Sequence, residues 1–148
     1  MTTTQRESRA ASQYVEAGNG QDPRGATTRQ ERILAILDQL SVSVAGDVTG
    51  ALAVSMDGIV LAARLSNDVN ADRVGAVAAT MIGVTRRVAN ELKLGGPEES
   101  IIKAFNGLFM VLPAGEEALL AVNLRQGGNL GMVRLEARDA AAAISQVI

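Results

Sequence analysis

The sequence predicts an α+β domain in which helices cover both faces of a five-stranded antiparallel sheet, in the order α-β-β-α-β-β-β-α. Three observations lead there. Asp57-Gly58 and Asn106-Gly107 each stand between two short apolar runs, the pattern of a hairpin. Residues 70–94 carry apolar residues at helical spacing over a long run. The links between the apolar runs of 100–125 are too short for a crossover, so consecutive strands must be antiparallel.

Composition narrows the class of function. The chain has 148 residues, 47% of them hydrophobic, and a net charge of −2, which suits one globular domain with a real core. The absence of a basic excess speaks against a nucleic-acid partner. No apolar run approaches the ~20 residues of a bilayer span, and the first residues lack the apolar centre of a signal peptide, so a cytoplasmic protein is expected. Cysteine and histidine are both absent. That removes disulfides, thiol nucleophiles, Ser-His-Asp triads and the usual zinc sites. No cofactor and no metal-ligand set is expected.

Residues 1–27 read as a flexible tail. They are poor in apolar residues apart from Tyr14 and Val15, and their charges balance. The domain begins at Thr28. Thr28 and Glu31 form a capping-box pair ahead of Ile33, Ile36, Leu37 and Leu40, the stripe of an amphipathic helix. Runs 51–56 and 59–64 then pair across Asp57-Gly58 in an expected two-residue turn of type I′. Asn70 is placed to cap the long helix, and Gly95-Gly96-Pro97 to end it. Runs 100–105 and 108–112 turn at Asn106-Gly107. Run 118–125 is apolar on both faces, as a central strand requires. Asn129 caps a closing helix with Leu130, Val133, Ala137, Ala140, Ala141 and Ile144 on its buried side.

The carboxylates Asp57, Glu98, Glu99, Glu116 and Glu117 all sit at or beside turns, with no nucleophile or base at a useful spacing. They read as turn and surface charges, and no catalytic residue is expected. The Gly-rich segments "GGPEES" and "RQGGNLG" lack the lysine of a phosphate-binding loop.

The hairpin "GALAVSMDGIVLAAR", the long helix rich in small residues, the strand pair "NGLFMVLPAGEEALLAVNL" and the closing "NLGMVRLEARDAAAAI" together resemble the Roadblock family of dynein light chains and their MglB-like bacterial and archaeal relatives. The resemblance covers residues 28–148. It implies a Roadblock or profilin-like fold, with one helix on one face of the sheet and two on the other. It also implies homodimerisation through the third strand and the long helix, and a non-enzymatic role as regulator or scaffold of a small Ras-like GTPase. The alternative is a small-molecule sensor or signalling scaffold without a GTPase partner.

On the long helix, the wheel sets a bulky stripe of Val74, Val77, Ala78, Met81, Val84, Val88 and Leu92 against the sheet. Opposite it runs a bare stripe of Gly75, Ala79 and Gly83, with Ala76 beside it. An outer face that met only water would be charged, and small residues admit a close neighbour. The expected dimer seam and GTPase surface is therefore this stripe with its rim of Asp72, Arg73, Thr80, Arg86 and Arg87. Helices crossing near Ala79 would set Asp72 beside Arg86 of the partner subunit. Ile101 and Lys103 join the seam from a strand that lacks proline and carries a single charge. The tail should contribute little to the fold: deleting residues 1–27 is expected to change stability by less than about 1 kcal/mol in chemical unfolding.

Overall fold

The computed structural model describes residues 28–148, so the tail assigned to 1–27 lies outside the described residues. Within the unit that ends at Arg32, residues 28–32 hold the capping box. The Thr28 amide donates to Glu31 Oε1 at 2.8 Å and the Glu31 amide donates to Thr28 Oγ1 at 3.1 Å. Residues 33–148 belong to one compact unit.

The described elements are α1 (Arg29–Ser43), β1 (Val48–Ser55), β2 (Val60–Arg64), α2 (Ala71–Glu91), β3 (Ser100–Ala104), β4 (Gly107–Ala114), β5 (Ala118–Arg125) and α3 (Leu130–Val147). This is the predicted order. The strands form one sheet in the order β2-β1-β5-β4-β3, and every neighbouring pair is antiparallel.

β5 lies at the centre. Its first five residues, Ala118 to Val122, are all buried, because side chains alternate between two covered faces. On one face Leu120 and Val122 pack with Ile33, Leu37 and Leu40 of α1 and with Val133, Ala137 and Ile144 of α3. On the other, Leu119 and Ala121 join Leu52, Val54 and Val111 beneath Ala78, Met81 and Ile82 of α2. The result is three layers, with one helix on one face and two on the other. Asn70 and Asn129 cap α2 and α3, their side chains accepting from the amides of Arg73 and Met132 at 3.1 Å.

Three local expectations need correction. The first hairpin has a three-residue loop, not a type I′ pair. Ser55 pairs with Ile59, its carbonyl accepts from the Gly58 amide at 3.0 Å, and its hydroxyl accepts from the Ile59 amide at 3.1 Å. Gly58 has φ +90° while Asp57 does not enter the positive region. Serine favours the first position of a type I turn, and the glycine then closes a G1 bulge.

The second turn is displaced by one residue. Ala104 pairs with Gly107, so Phe105-Asn106 forms the tip and Gly107 belongs to the strand. A Cβ at Gly107 would stand 2.5 Å from the Leu124 carbonyl oxygen of the neighbouring strand.

α2 stops at Glu91, before Gly95. Lys93 adopts φ +58°, the amide of Leu94 donates to Ala89 O at 2.8 Å, and that of Lys93 to Asn90 O at 3.2 Å. This pair of bonds is a Schellman cap, with lysine in the place glycine usually takes.

The tight approach at Gly107 has a measurable consequence. Gly107→Ala is expected to lower unfolding stability by about 2 kcal/mol, because a backbone oxygen has to move; urea denaturation checks it.

Candidate functional site

α2 meets the sheet through Gly75, Ala78, Met81, Ile82 and Ala89, which are buried. Ala78 and Met81 lie on the sheet face as the sequence reading has them, but the rest of that stripe needs correction. Val77, Val84, Val88 and Leu92 are between 48% and 64% exposed. The reason lies in the β1–β2 hairpin. A Cβ at Gly75 would meet Val60 Cγ2 at 2.8 Å and the Gly58 carbonyl oxygen at 3.2 Å, and one at Gly58 would meet Ala76 Cα at 3.4 Å and Ala79 Cβ at 3.6 Å. The small residues Gly75, Ala76 and Ala79 do admit another backbone, but it is the chain's own turn. The helix is rotated to accept it: Val77, Val84 and Val88 move to the flank, while Val74 packs against the core.

The remaining predicted residues are scattered along α2. Gly83 is exposed, with nothing within 4 Å of a Cβ built there. Thr80 is exposed and its hydroxyl donates to the Ala76 carbonyl at 2.9 Å. Asp72 and Arg73 are exposed in the first turn. Arg86 and Arg87 are exposed near the other end, where they line a basic hollow of about 540 Å³ with Lys93, Gly95 and Gly96. The hairpin turn packs against Ala79, on the side where the sequence reading places a seam with Asp72 beside Arg86 of the partner subunit.

Ile101 and Lys103 sit on β3, which is an edge of the sheet. A two-residue loop closes on a hydrogen-bonded pair, here Ala104 and Gly107. Ser100, Ile102 and Ala104 therefore exchange bonds with β4, and the N–H and C=O groups of Ile101 and Lys103 point to the open edge. The Ile101 side chain turns toward the α1/α3 core and is half-buried; Lys103 is exposed.

On the opposite face, the edge is continuous with an apolar shelf that the sequence reading did not assign to the site. Ile102, 49% exposed, pairs with Phe109 of β4. Val77, Thr80, Met81 and Val84 of α2 line a groove of about 390 Å³ that reaches Ser100. Nearer the start of α2, Val69, Val74, Val77 and Phe109 line a second cavity of about 310 Å³ with Arg73 at it. A helical wheel counts these valines as core. The true contact stripe combines small residues, Gly75, Ala78 and Ala89, with Met81 and Ile82, and the hairpin's position decides which face that is.

The acidic pairs are structural or solvated. Arg134 of α3 binds Glu99 through both guanidinium branches, Nε at 2.8 Å and Nη2 at 2.6 Å. The hydrogen bonds from Arg134 hold the Glu99 carboxyl below the ordinary carboxylate range, with Coulombic attraction to Arg134 and Arg138 adding to the effect against partial burial. Glu99 is thus a tie between the α2–β3 connection and α3 rather than a free surface charge. Glu116 and Glu117 are exposed beside the β4–β5 turn. Among the described residues no group of three or more acidic side chains is placed to hold a metal ion. No described helix is long and apolar enough to cross a membrane.

A three-layer sandwich with an open β3 edge and α2 beside it defines the fold class, and comparison with known proteins assigns the family. Residues 34–123 match the model of the Roadblock/LC7 domain. The uncharacterised protein MJ0714 of Methanocaldococcus jannaschii is 33% identical over 97 residues, covering 66% of this chain and 81% of that protein. Two solved structures share the fold. An MglB described as having a tetrameric arrangement superposes with a TM-score of 0.73 at 23% identity, covering 82% of this chain and 91% of the other. The gliding protein MglB of Thermus thermophilus gives 0.72 at 22% identity, covering 82% and 92%. The chain belongs to the Roadblock/LC7 family.

The two glycines of α2 provide a test of its orientation. Gly83→Ala is expected to stabilise by about 0.5–1 kcal/mol, the helix-propensity gain at an open site. Gly75→Ala is expected to destabilise by about 1–2 kcal/mol, since the added methyl meets Val60 and the Gly58 carbonyl. Urea unfolding of the two variants should give opposite signs.

Proposed function

We propose that the protein is a homodimeric, non-enzymatic regulator or scaffold of a small Ras-like GTPase, acting in the cytoplasm. The observation that carries this reading is the Roadblock/LC7 match over residues 34–123, together with the likeness to MglB structures. Two features support the dimer. β3 presents unpaired backbone groups at Ile101 and Lys103, and an uncovered strand edge invites a second chain. Val77 and Val84 line a groove that reaches Ser100 of that strand, and they, Val88 and Ile102 are open to solvent in the single chain. The proposed seam is therefore β3 with the valine flank of α2, retaining Arg73, Thr80, Arg87, Ile101 and Lys103 from the sequence reading.

The GTPase is proposed to meet the outward surface of the paired α2 helices. Arg86, Arg87 and Lys93 cluster there and form no ion pair within the described residues, which favours an acidic partner surface. The cavities beside α2 are open clefts, and no buried polar side chain points into them to orient a small molecule.

The test uses the small Ras-like GTPases of the protein's own host, loaded with GTP. At least one should co-purify with the full chain, and Arg86→Glu/Lys93→Glu, at two cations outside the proposed seam, should weaken that binding about tenfold or more while leaving the fold intact. Single-turnover GTP hydrolysis on the same complex separates an activator from a scaffold. If none of these GTPases binds at micromolar concentration, the reading fails.

A further inference from the structure

The exposed flank of α2 has an internal symmetry. Arg73, Val77, Thr80, Val84, Arg87 and Glu91 follow one another at spacings of four, three, four, three and four residues. At about 3.6 residues per turn, Arg73 and Glu91 fall on one line of the helix, at its two ends. Neither side chain forms an ion pair within the described residues. Leu92 and Leu94 follow Glu91 and are 64% and 69% exposed. At the other end, Arg73 adjoins a mainly apolar cavity of about 310 Å³, where Val69, Val74, Val77 and Phe109 are joined by the polar Thr49, Ser66 and Asn123. One helix thus carries bare leucines at one end and an apolar cavity at the other, with opposite charges beside them.

A two-fold axis perpendicular to the sheet, as antiparallel pairing of two β3 edges requires, sets the two α2 helices antiparallel. The spacing then selects one centre, at the level of Ile82, where every position of the stripe meets another position of the stripe. Resting on the homodimer proposed above, we infer that each copy seats its Leu92 in the cavity of the other, with Arg73 paired to the partner's Glu91. Val77 then faces the stem of the partner's Arg87, and Thr80 faces the partner's Val84. The interface is isologous, so each contact occurs twice. The cavity loses its water, and the four exposed apolar side chains Val77, Val84, Val88 and Leu92 are covered together. This register replaces the one centred on Ala79.

The chain has no cysteine, so an introduced pair can report the register directly. Positions 73 and 91 lie at opposite ends of one helix, about 27 Å apart at 1.5 Å per residue, which is far beyond disulfide reach within a copy. In the full-length protein, Arg73→Cys/Glu91→Cys should link into a covalent dimer under mild oxidation, whereas Arg73→Cys and Glu91→Cys alone should not. Leu92→Asp should raise the dimer dissociation constant by about 100-fold or more in sedimentation equilibrium, because two apolar side chains are lost from the seam. Circular dichroism of this variant should not change, since Leu92 is exposed in the single chain. A dimer that forms normally but neither links through the cysteine pair nor responds to Leu92→Asp overturns this register and leaves the homodimer standing. A wild-type chain that is monomeric at micromolar concentration overturns both.

Discussion

β5 is the constraint on which the rest of the molecule depends. From Ala118 to Val122 it has no solvent-facing side, so it requires a strand on each flank and a helical layer on each face. β1 and β4 supply the flanks. Leu120 and Val122 draw in α1 and α3, while Leu119 and Ala121 draw in α2. β2 and β3 are left as edges. The two edges differ in their surroundings. β2 is short, its register with β1 shifts between Ala53 and Val54, and Arg64 at its end is bound to Asp38 of α1 at 2.8 Å. A bulge and a short length are ordinary protections of an edge. β3 is equally short but pairs regularly with β4, and it lies beside the exposed valines of α2.

Much of this was legible in the residues. The order of elements followed from turn dipeptides and apolar periodicity, and the three helix starts were marked by Thr28, Asn70 and Asn129. Run 118–125 identified itself as central because it is apolar on both faces. The two turns and the face of α2 were misread because a neighbour distant in sequence or a side chain outside the turn dipeptide decides them; the end of α2 is set locally, by the cap at Lys93. Asn106-Gly107 is a good turn on its own, but Gly107 pairs with Ala104 and Arg125 as part of β4, where a Cβ would run into the Leu124 carbonyl. Asp57-Gly58 suits a two-residue turn, yet the Ser55 hydroxyl and carbonyl draw the loop to three residues.

α2 is the most instructive case. A wheel ranks faces by bulk, and bulk pointed to the valines. A helix that has to pass under a hairpin turn instead carries Gly75 and Ala79 at the crossing, Met81 and Ile82 fill the sheet face, and Val77, Val84 and Val88 fall outside the contact. The apolar side that remains is not surplus. It lies next to the only strand edge, among the described residues, whose regular pairing stops at an uncovered backbone beside exposed aliphatic side chains. Helix flank and strand edge thus form one surface, and the proposed dimer is its physical completion: backbone groups on one side of the seam, aliphatic packing on the other. In the proposed antiparallel pair the basic ends of the two α2 helices, with Arg86, Arg87 and Lys93, point to opposite ends of the seam, so each copy carries its own basic surface.

The continuation of the sheet through β3 is the central claim, and amide hydrogen exchange tests it at the atoms concerned. In the single chain the amides of Ile101 and Lys103 point away from β4 and have no strand to meet. Exchange followed across a dilution series should show these two amides protected at high protein concentration and exposed at low concentration. The amides of Ser100, Ile102 and Ala104, bonded to β4, should change far less. Equal, unprotected exchange at Ile101 and Lys103 at every concentration would contradict the account.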